Sequence, residues 1–159
     1  MQRRVYLSIV IPVYNEEKRL NSLKKVFSFL EKQEFISEVI VVNDGSIDKT
    51  LLNLRLLQKK YPLLLVSYRS NKGKGYAIKR GMLKARGKYR LFLDVDLSTP
   101  LKEFRKMVPF LRTHEIIIGS RKMEGARLRK RQPIIRQTLG RVFTRLSQWI
   151  LDVPVSDFT

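Results

Sequence analysis

Apolar residues in this chain fall into short continuous runs separated by segments of helical periodicity. Residues 5–11, 39–42, 63–68 and 89–93 are aliphatic and aromatic runs of strand length. Between them, residues 16–33 carry Leu20, Leu23, Val26, Phe27 and Leu30 at three- and four-residue steps, which predicts a helix. Residues 48–60 and 75–85 predict two more, the latter stopped by Gly87. Thr99-Pro100 predicts a fourth helix start, with Thr as cap and Pro in the first turn, running to about residue 112. A short run at 116–118 predicts a further strand. Strand–helix alternation with continuously apolar strands predicts an α/β architecture: a mostly parallel, Rossmann-like sheet with helices on both faces. No repeat or linker interrupts the pattern, so residues 1–159 read as a single domain.

In such sheets ligands bind beyond the carboxyl ends of the strands. A chemistry-bearing segment follows each strand here. The first is followed by Ile11-Pro12-Val13-Tyr14-Asn15-Glu16 and the second by Val42-Asn43-Asp44-Gly45-Ser46-Ile47-Asp48-Lys49-Thr50. Asn71-Lys72-Gly73-Lys74-Gly75 follows the third, and the fourth delivers Asp94-Val95-Asp96. Neither a G-x-G-x-x-G turn nor a Walker A lysine loop is present. Gly45 suits a turn, Asp44 and Ser46 suit a base or ribose, and Asp48 suits a helix cap. Two glycines and two lysines after the third strand bring backbone and positive charge to a ligand, or form an ordinary glycine-rich turn.

The two carboxylates at positions 94 and 96 carry the sharpest chemical signal. At the end of an extended strand, i and i+2 side chains point to one side. Like charges so close repel unless a cation lies between them. Hard divalent ions such as Mg²⁺ or Mn²⁺ bind through one or two carboxylates plus substrate phosphates. Asp94 and Asp96 therefore suggest a metal–diphosphate site; the bland alternative is a solvated acidic loop.

Composition narrows the partners. The chain is 43% hydrophobic, as a folded domain requires, and carries a net charge of +19 from 33 basic and 14 acidic residues. Such a charge implies an anionic partner. With no cysteine and one histidine, His114, thiolate and multi-histidine metal sites are excluded. Arg3-Arg4 ahead of an apolar run has the outline of a signal peptide, but Pro12 and the polar Asn15-Glu16-Glu17 favour a first strand. No apolar run reaches membrane-spanning length.

From residue 119 the character changes. Residues 119–145 hold nine basic residues and one acid, Glu124, while Ile135, Leu139, Val142, Phe143, Leu146, Trp149 and Ile150 recur at helical steps. This predicts a basic amphipathic helix. It either packs its apolar face on the core with a solvated cationic face, or lies at an anionic membrane surface.

The ordered set of motifs resembles glycosyltransferase family 2, whose members have the GT-A nucleotide-diphospho-sugar transferase fold. The pattern P-x-Y-N-E, then D-G-S-x-D-x-T, then N-x-G-K-G-x-A, then D-x-D is matched at Pro12/Tyr14/Asn15/Glu16, Asp44/Gly45/Ser46/Asp48/Thr50, Asn71/Gly73/Lys74/Gly75/Ala77 and Asp94/Asp96. Asp94 to Pro100, then Gly119-Ser120-Arg121, then Val155-Ser156-Asp157 looks like the branch that glycosylates dolichyl and other polyprenyl phosphates. The resemblance covers about residues 5–159.

The resemblance implies an inverting, metal-dependent hexosyltransferase using UDP-glucose or GDP-mannose as donor. It places the nucleotide against Pro12, Tyr14, Glu16, Asp44 and Lys74, and Mg²⁺ or Mn²⁺ on Asp94 and Asp96. It makes Asp94, Asp96 and Arg121 catalytic, with Lys72, Lys74 or Arg121 adding charge at the phosphates. Arg129, Arg131 and Arg136 would hold the lipid phosphate. No general base is evident, and a phosphomonoester, with a second pKa of about 6, needs none. The expected setting is cytoplasmic and peripheral on the membrane, with no nucleic-acid partner. Two features depart from the pattern. Asn43 stands where the family often has Asp. The branch usually continues past Asp157 with a Gly-Phe segment, a strand and helices, so the acceptor side at 119–159 is expected to be incomplete. The alternatives are transfer to a sugar hydroxyl, a truncated nucleotide-binding form with little activity, and a basic nucleic-acid-binding domain.

Overall fold

A computed structural model of the chain describes residues 4–119. The chain divides into two compact units, Met1–Leu111 and Arg112–Thr159. All regular elements described here belong to the first.

Four parallel strands, β1 (Leu7–Val13), β2 (Ser37–Asp44), β3 (Leu63–Tyr68) and β4 (Tyr89–Phe92), form one sheet in the order β3-β2-β1-β4. Their pleat sorts side chains by parity. Leu7, Ile9, Ile11 and Val13 of β1, with Val39 and Val41 of β2, face α1 (Leu23–Leu30) and α2 (Thr50–Gln58). Leu23, Val26, Phe27 and Leu30 supply the α1 side of that core, and Leu54 the α2 side. Val10, Ile40 and Val42 face the opposite way, against Ala77 and Ala85 of the α3 layer (α3, Lys74–Lys84). Both faces of the central strands β1 and β2 are therefore covered, while Leu64 of β3 and Phe92 of β4, on the α3 side, stay 43% and 48% exposed.

Gly81 sets how close α3 comes. A Cβ there would lie 2.3 Å from Val10 Cγ1 and 3.0 Å from Val42 Cγ2, so the helix rests directly on the sheet.

Winding runs outward from β1 through β2 to β3 on one face, then returns past β1 to β4 on the other. The reversal leaves a crevice between the carboxyl ends of β1 and β4. Pro12 helps to open it. The Val10 carbonyl accepts the Leu93 N–H at 3.0 Å. The next ladder bond on that side would need an N–H at position 12, which proline lacks, so pairing with β4 stops and the chain is released at Leu93.

Several expected boundaries move. The helix expected over 16–33 becomes a 3₁₀ turn at Leu20–Ser22 followed by α1. Asn15 takes φ +53°, and the Arg19 and Ser22 N–H groups donate only three residues back, to the Glu16 and Arg19 carbonyls at 2.9 and 3.0 Å, so the entry to α1 is a run of tight turns. The helix expected to run from Thr99-Pro100 to about 112 breaks into 3₁₀ turns at Leu101–Glu103 and Val108–Phe110 around α4 (Phe104–Met107). Pro109 cannot donate an intrahelical bond and crowds the preceding turn. Pro100, not Thr99, sits at the N-cap, and no side chain caps it. The strand expected at 116–118 does not form; residues 112–119 contain no regular element. The expected basic helix lies outside the described residues.

Candidate active site

A cleft of about 310 Å³ opens at the switch point. From β1 and the turn after it come Pro12, Val13, Tyr14 and Glu16; from the end of β2, Asp44; from the start of α3, Lys74 and Ala77; from beyond β4, Asp94, Val95 and Asp96. The structure thus brings together Pro12, Tyr14, Glu16, Asp44, Lys74, Asp94 and Asp96, whereas Lys72, whose ammonium lies 5.0 Å from the Tyr76 ring centre, and Ser46 do not line the cleft. Arg121, Arg129, Arg131 and Arg136 lie outside the described residues.

The first two loops are laced to each other. The Asn15 N–H donates to Ser46 Oγ at 3.0 Å, and the Ile47 N–H to Asn15 Oδ1 at 3.0 Å. The Glu17 N–H donates to Asp48 Oδ2 at 3.3 Å, and the Lys49 N–H to Glu17 Oε2 at 3.1 Å. The Ser46 hydroxyl, read as a base or ribose ligand, is thus an acceptor within the lacing. Asp48 accepts the Thr50 N–H at 2.9 Å but does not occupy the N-cap, which is Lys49. Asn43, the departure from the family pattern, is buried with its amide satisfied. Its Nδ2 donates to Ser67 Oγ at 3.0 Å, and its Oδ1 accepts the Ser46 N–H at 3.3 Å.

Asp44 is 2% exposed, and its carboxylate ties β2 to the β3–α3 loop. It accepts the Lys72 N–H at 2.8 Å and Asn71 Nδ2 at 3.1 Å. Burial, then the neighbouring Asp44 carboxylate, raise the Tyr68 hydroxyl above its ordinary range, so it stays protonated. Gly45, at φ +67°, makes the turn; a Cβ there would meet the Ser70 and Asn71 backbone at 2.4 and 2.5 Å.

Beyond β4 the two carboxylates sit in a tight turn rather than on a strand, because β4 ends at Phe92. The strand is also less buried than its sequence suggests, with Phe92 48% exposed. The Leu97 N–H donates to the Asp94 carbonyl at 3.0 Å, and Leu97 takes φ +51°, a costly conformation for a leucine. The Ser98 N–H donates to Asp96 Oδ1 at 2.9 Å. Val95 is buried in the core, and its carbonyl accepts the Ser22 hydroxyl. Ser22 went unread because an isolated serine carries no sequence signal for a partner 73 positions away. Across the cleft, Lys74 Nζ lies 2.6 Å from Asp94 Oδ1.

Among the described residues no three His, Cys, Asp or Glu side chains converge as a self-sufficient metal cage. Asp94 and Asp96 lining one cleft nevertheless suit a hard divalent ion that takes one or two protein carboxylates and completes its shell with substrate phosphate and water.

Comparison with known proteins gives these features a setting. The sequence model of glycosyl transferase family 2 matches residues 8–157. A dolichyl-phosphate beta-glucosyltransferase of Trichomonas vaginalis is 40% identical over 130 residues, covering 74% of this chain and 40% of the relative. That of Dictyostelium discoideum is 37% identical over 131 residues, with 74% and 40% covered. The chain thus spans about 40% of the length of these curated relatives. Glucosyl-3-phosphoglycerate synthase from Mycobacterium tuberculosis, solved with Mn²⁺, uridine diphosphate and glucosyl-3-phosphoglycerate, superposes with a TM-score of 0.52. It is 30% identical, with 70% of this chain and 41% of that one covered.

Proposed function

The chain belongs to glycosyl transferase family 2, and on that premise we propose that it moves a hexosyl group from a nucleoside diphosphate sugar to a dolichyl or other polyprenyl phosphate with inversion. The supporting observation is the cleft itself, where Asp94, Asp96 and Lys74 face Tyr14, Glu16 and Asp44 at the sheet's switch point. The relatives' names favour glucose, which makes UDP-glucose the first donor to test and GDP-mannose the second.

Each residue has a task that its chemistry suits. Tyr14, 43% exposed at the rim, offers a ring and a hydroxyl to the nucleoside. Asp44 keeps acceptor capacity beyond its two bonds to the β3–α3 loop, since a carboxylate has about four lone-pair sites. Glu16 lines the same wall. Lys74 brings positive charge to the diphosphate from the start of α3. Asp94 and Asp96 would hold Mg²⁺ or Mn²⁺, which when bound supplies Lewis-acid stabilisation of the departing nucleoside diphosphate. The lipid phosphate is already anionic near neutral pH and attacks the anomeric carbon without a protein base. Arg121, Arg129, Arg131 and Arg136 are proposed to neutralise donor and acceptor phosphates, and the basic 119–145 segment to meet an anionic membrane surface from the cytoplasmic side.

The test is transfer of labelled sugar from UDP-glucose or GDP-mannose to a short polyprenyl phosphate, with Mn²⁺, with Mg²⁺ and with chelator. Metal-dependent lipid-linked product of inverted configuration is expected. Transfer to a sugar hydroxyl with none to the lipid phosphate would overturn the acceptor.

A further inference from the structure

The Lys74–Asp94 ion pair crosses the cleft and joins the two sides that a donor and its metal would occupy. From it we infer that Lys74 makes metal and nucleoside diphosphate bind interdependently, by occupying Asp94 until a diphosphate draws the ammonium away. The inference rests on the donor and metal reading of the cleft above, and concerns how that site loads.

Two cations compete for one carboxylate. With Nζ at 2.6 Å from Asp94 Oδ1, a divalent ion approaching the empty cleft must displace the ammonium or sit beside a like charge. A diphosphate changes this balance. It offers Lys74 several anionic oxygens, the ammonium swings on its flexible stem, and Asp94 is released to the metal beside Asp96. Half of each side chain is open to solvent, so neither is locked in the pair. A pair of this exposure is worth enough to alter occupancy without blocking the site. By thermodynamic reciprocity, whatever factor the diphosphate adds to metal affinity the metal adds to diphosphate affinity. Lys74 thereby disfavours binding of the metal alone and favours metal and diphosphate together.

Mn²⁺ binding to the 159-residue chain, followed by the electron paramagnetic resonance signal of free Mn²⁺, tests this directly. Without nucleotide, Lys74→Met should bind Mn²⁺ roughly two- to fivefold more tightly than the parent. UDP without metal should bind more weakly to Lys74→Met, and the factor by which UDP tightens Mn²⁺ should shrink. Lys74→Arg, which keeps the charge, should behave as the parent does. Unchanged or weaker Mn²⁺ affinity in Lys74→Met without nucleotide overturns the inference. Failure of both proteins to bind Mn²⁺ removes the metal site and the inference with it. If UDP and GDP bind neither protein, the donor reading falls and the interdependence falls with it; if UDP binds both proteins and tightens Mn²⁺ by the same factor in each, the donor reading stands and the inference alone is overturned.

Discussion

The Glu16 backbone N–H donates to Thr50 Oγ1 at 2.8 Å, joining the turn after β1 to the first residue of α2 across 34 positions. Thr50 is fully buried, so this bond has no water to replace it. It holds the two nucleotide-side loops in register.

Replacing Thr50 by Val keeps the shape and deletes the hydroxyl, leaving a donor in a partly buried site unsatisfied. Stability should fall by about 1–3 kcal/mol, read from urea unfolding. Thr50→Ser should recover most of it. Equal stability of the Val and Thr forms would mean that the lacing contributes nothing net.

Asp44→Ala should cost both stability and ligand affinity. The Lys72 N–H loses its acceptor and Asn71 Nδ2 keeps only the Asp44 carbonyl at 3.3 Å, worth about 1–3 kcal/mol in unfolding free energy. Nucleoside affinity, measured by calorimetry, should drop as well. A stability loss with unchanged nucleoside affinity would confine Asp44 to the loop tie.

Asp96→Asn should spare the fold, because the amide oxygen can still accept the Ser98 N–H. Nucleoside diphosphate binding should then become insensitive to chelator. If chelator still weakens binding as in the parent, the metal sits elsewhere.

At the amino end of the sheet, Glu38 joins buried Ser8 to the exposed Arg86. The Ser8 hydroxyl and the Arg86 N–H each donate to Glu38 Oε1 at 2.6 Å, and the Arg86 guanidinium approaches Oε2 at 3.3 Å. Burial alone would raise the Glu38 carboxyl, but the bonds from Ser8 and Arg86 and the Arg86 charge outweigh it and hold it below 4.5. A lowered folded value adds stability that is complete above 4.5 and is lost as pH falls through the folded value. Glu38→Gln should be less stable than the parent at neutral pH, and the gap should close on acidification. Unfolding at steps from about pH 7 to about pH 3 reads it. A gap constant with pH would assign the loss to packing.

The strands were legible because their information is local: residues 39–42 are Val-Ile-Val-Val, and no partner is needed to read them as buried. The cleft was legible because parallel topology sends every strand end to one edge, so motif order became proximity. The start of α1 was not, since the turn there is anchored over long range: the Asn15, Glu16 and Glu17 N–H groups are held by Ser46, Thr50 and Asp48, 31 to 34 positions away. Pro109 was a local signal against a long helix after Pro100, and it won over the apolar spacing. Asn15, Ser46 and Asp48 stand in motifs that suggest ligands or caps, yet their oxygens accept from backbone. A motif gives the residue but not the direction of its bond.

Gly81 acts at a distance from the chemistry. It lies seven residues along α3 from Lys74, about 10 Å by helical rise, and it is where the helix touches down on Val10 and Val42. The absent side chain works as a shim of zero thickness. Any thicker shim would lift α3 from the sheet and carry the Lys74 end with it, widening the gap to Asp94 without altering a residue in the cleft. The reach of the lysine is thus set from beneath the helix, by two valines that never meet a ligand.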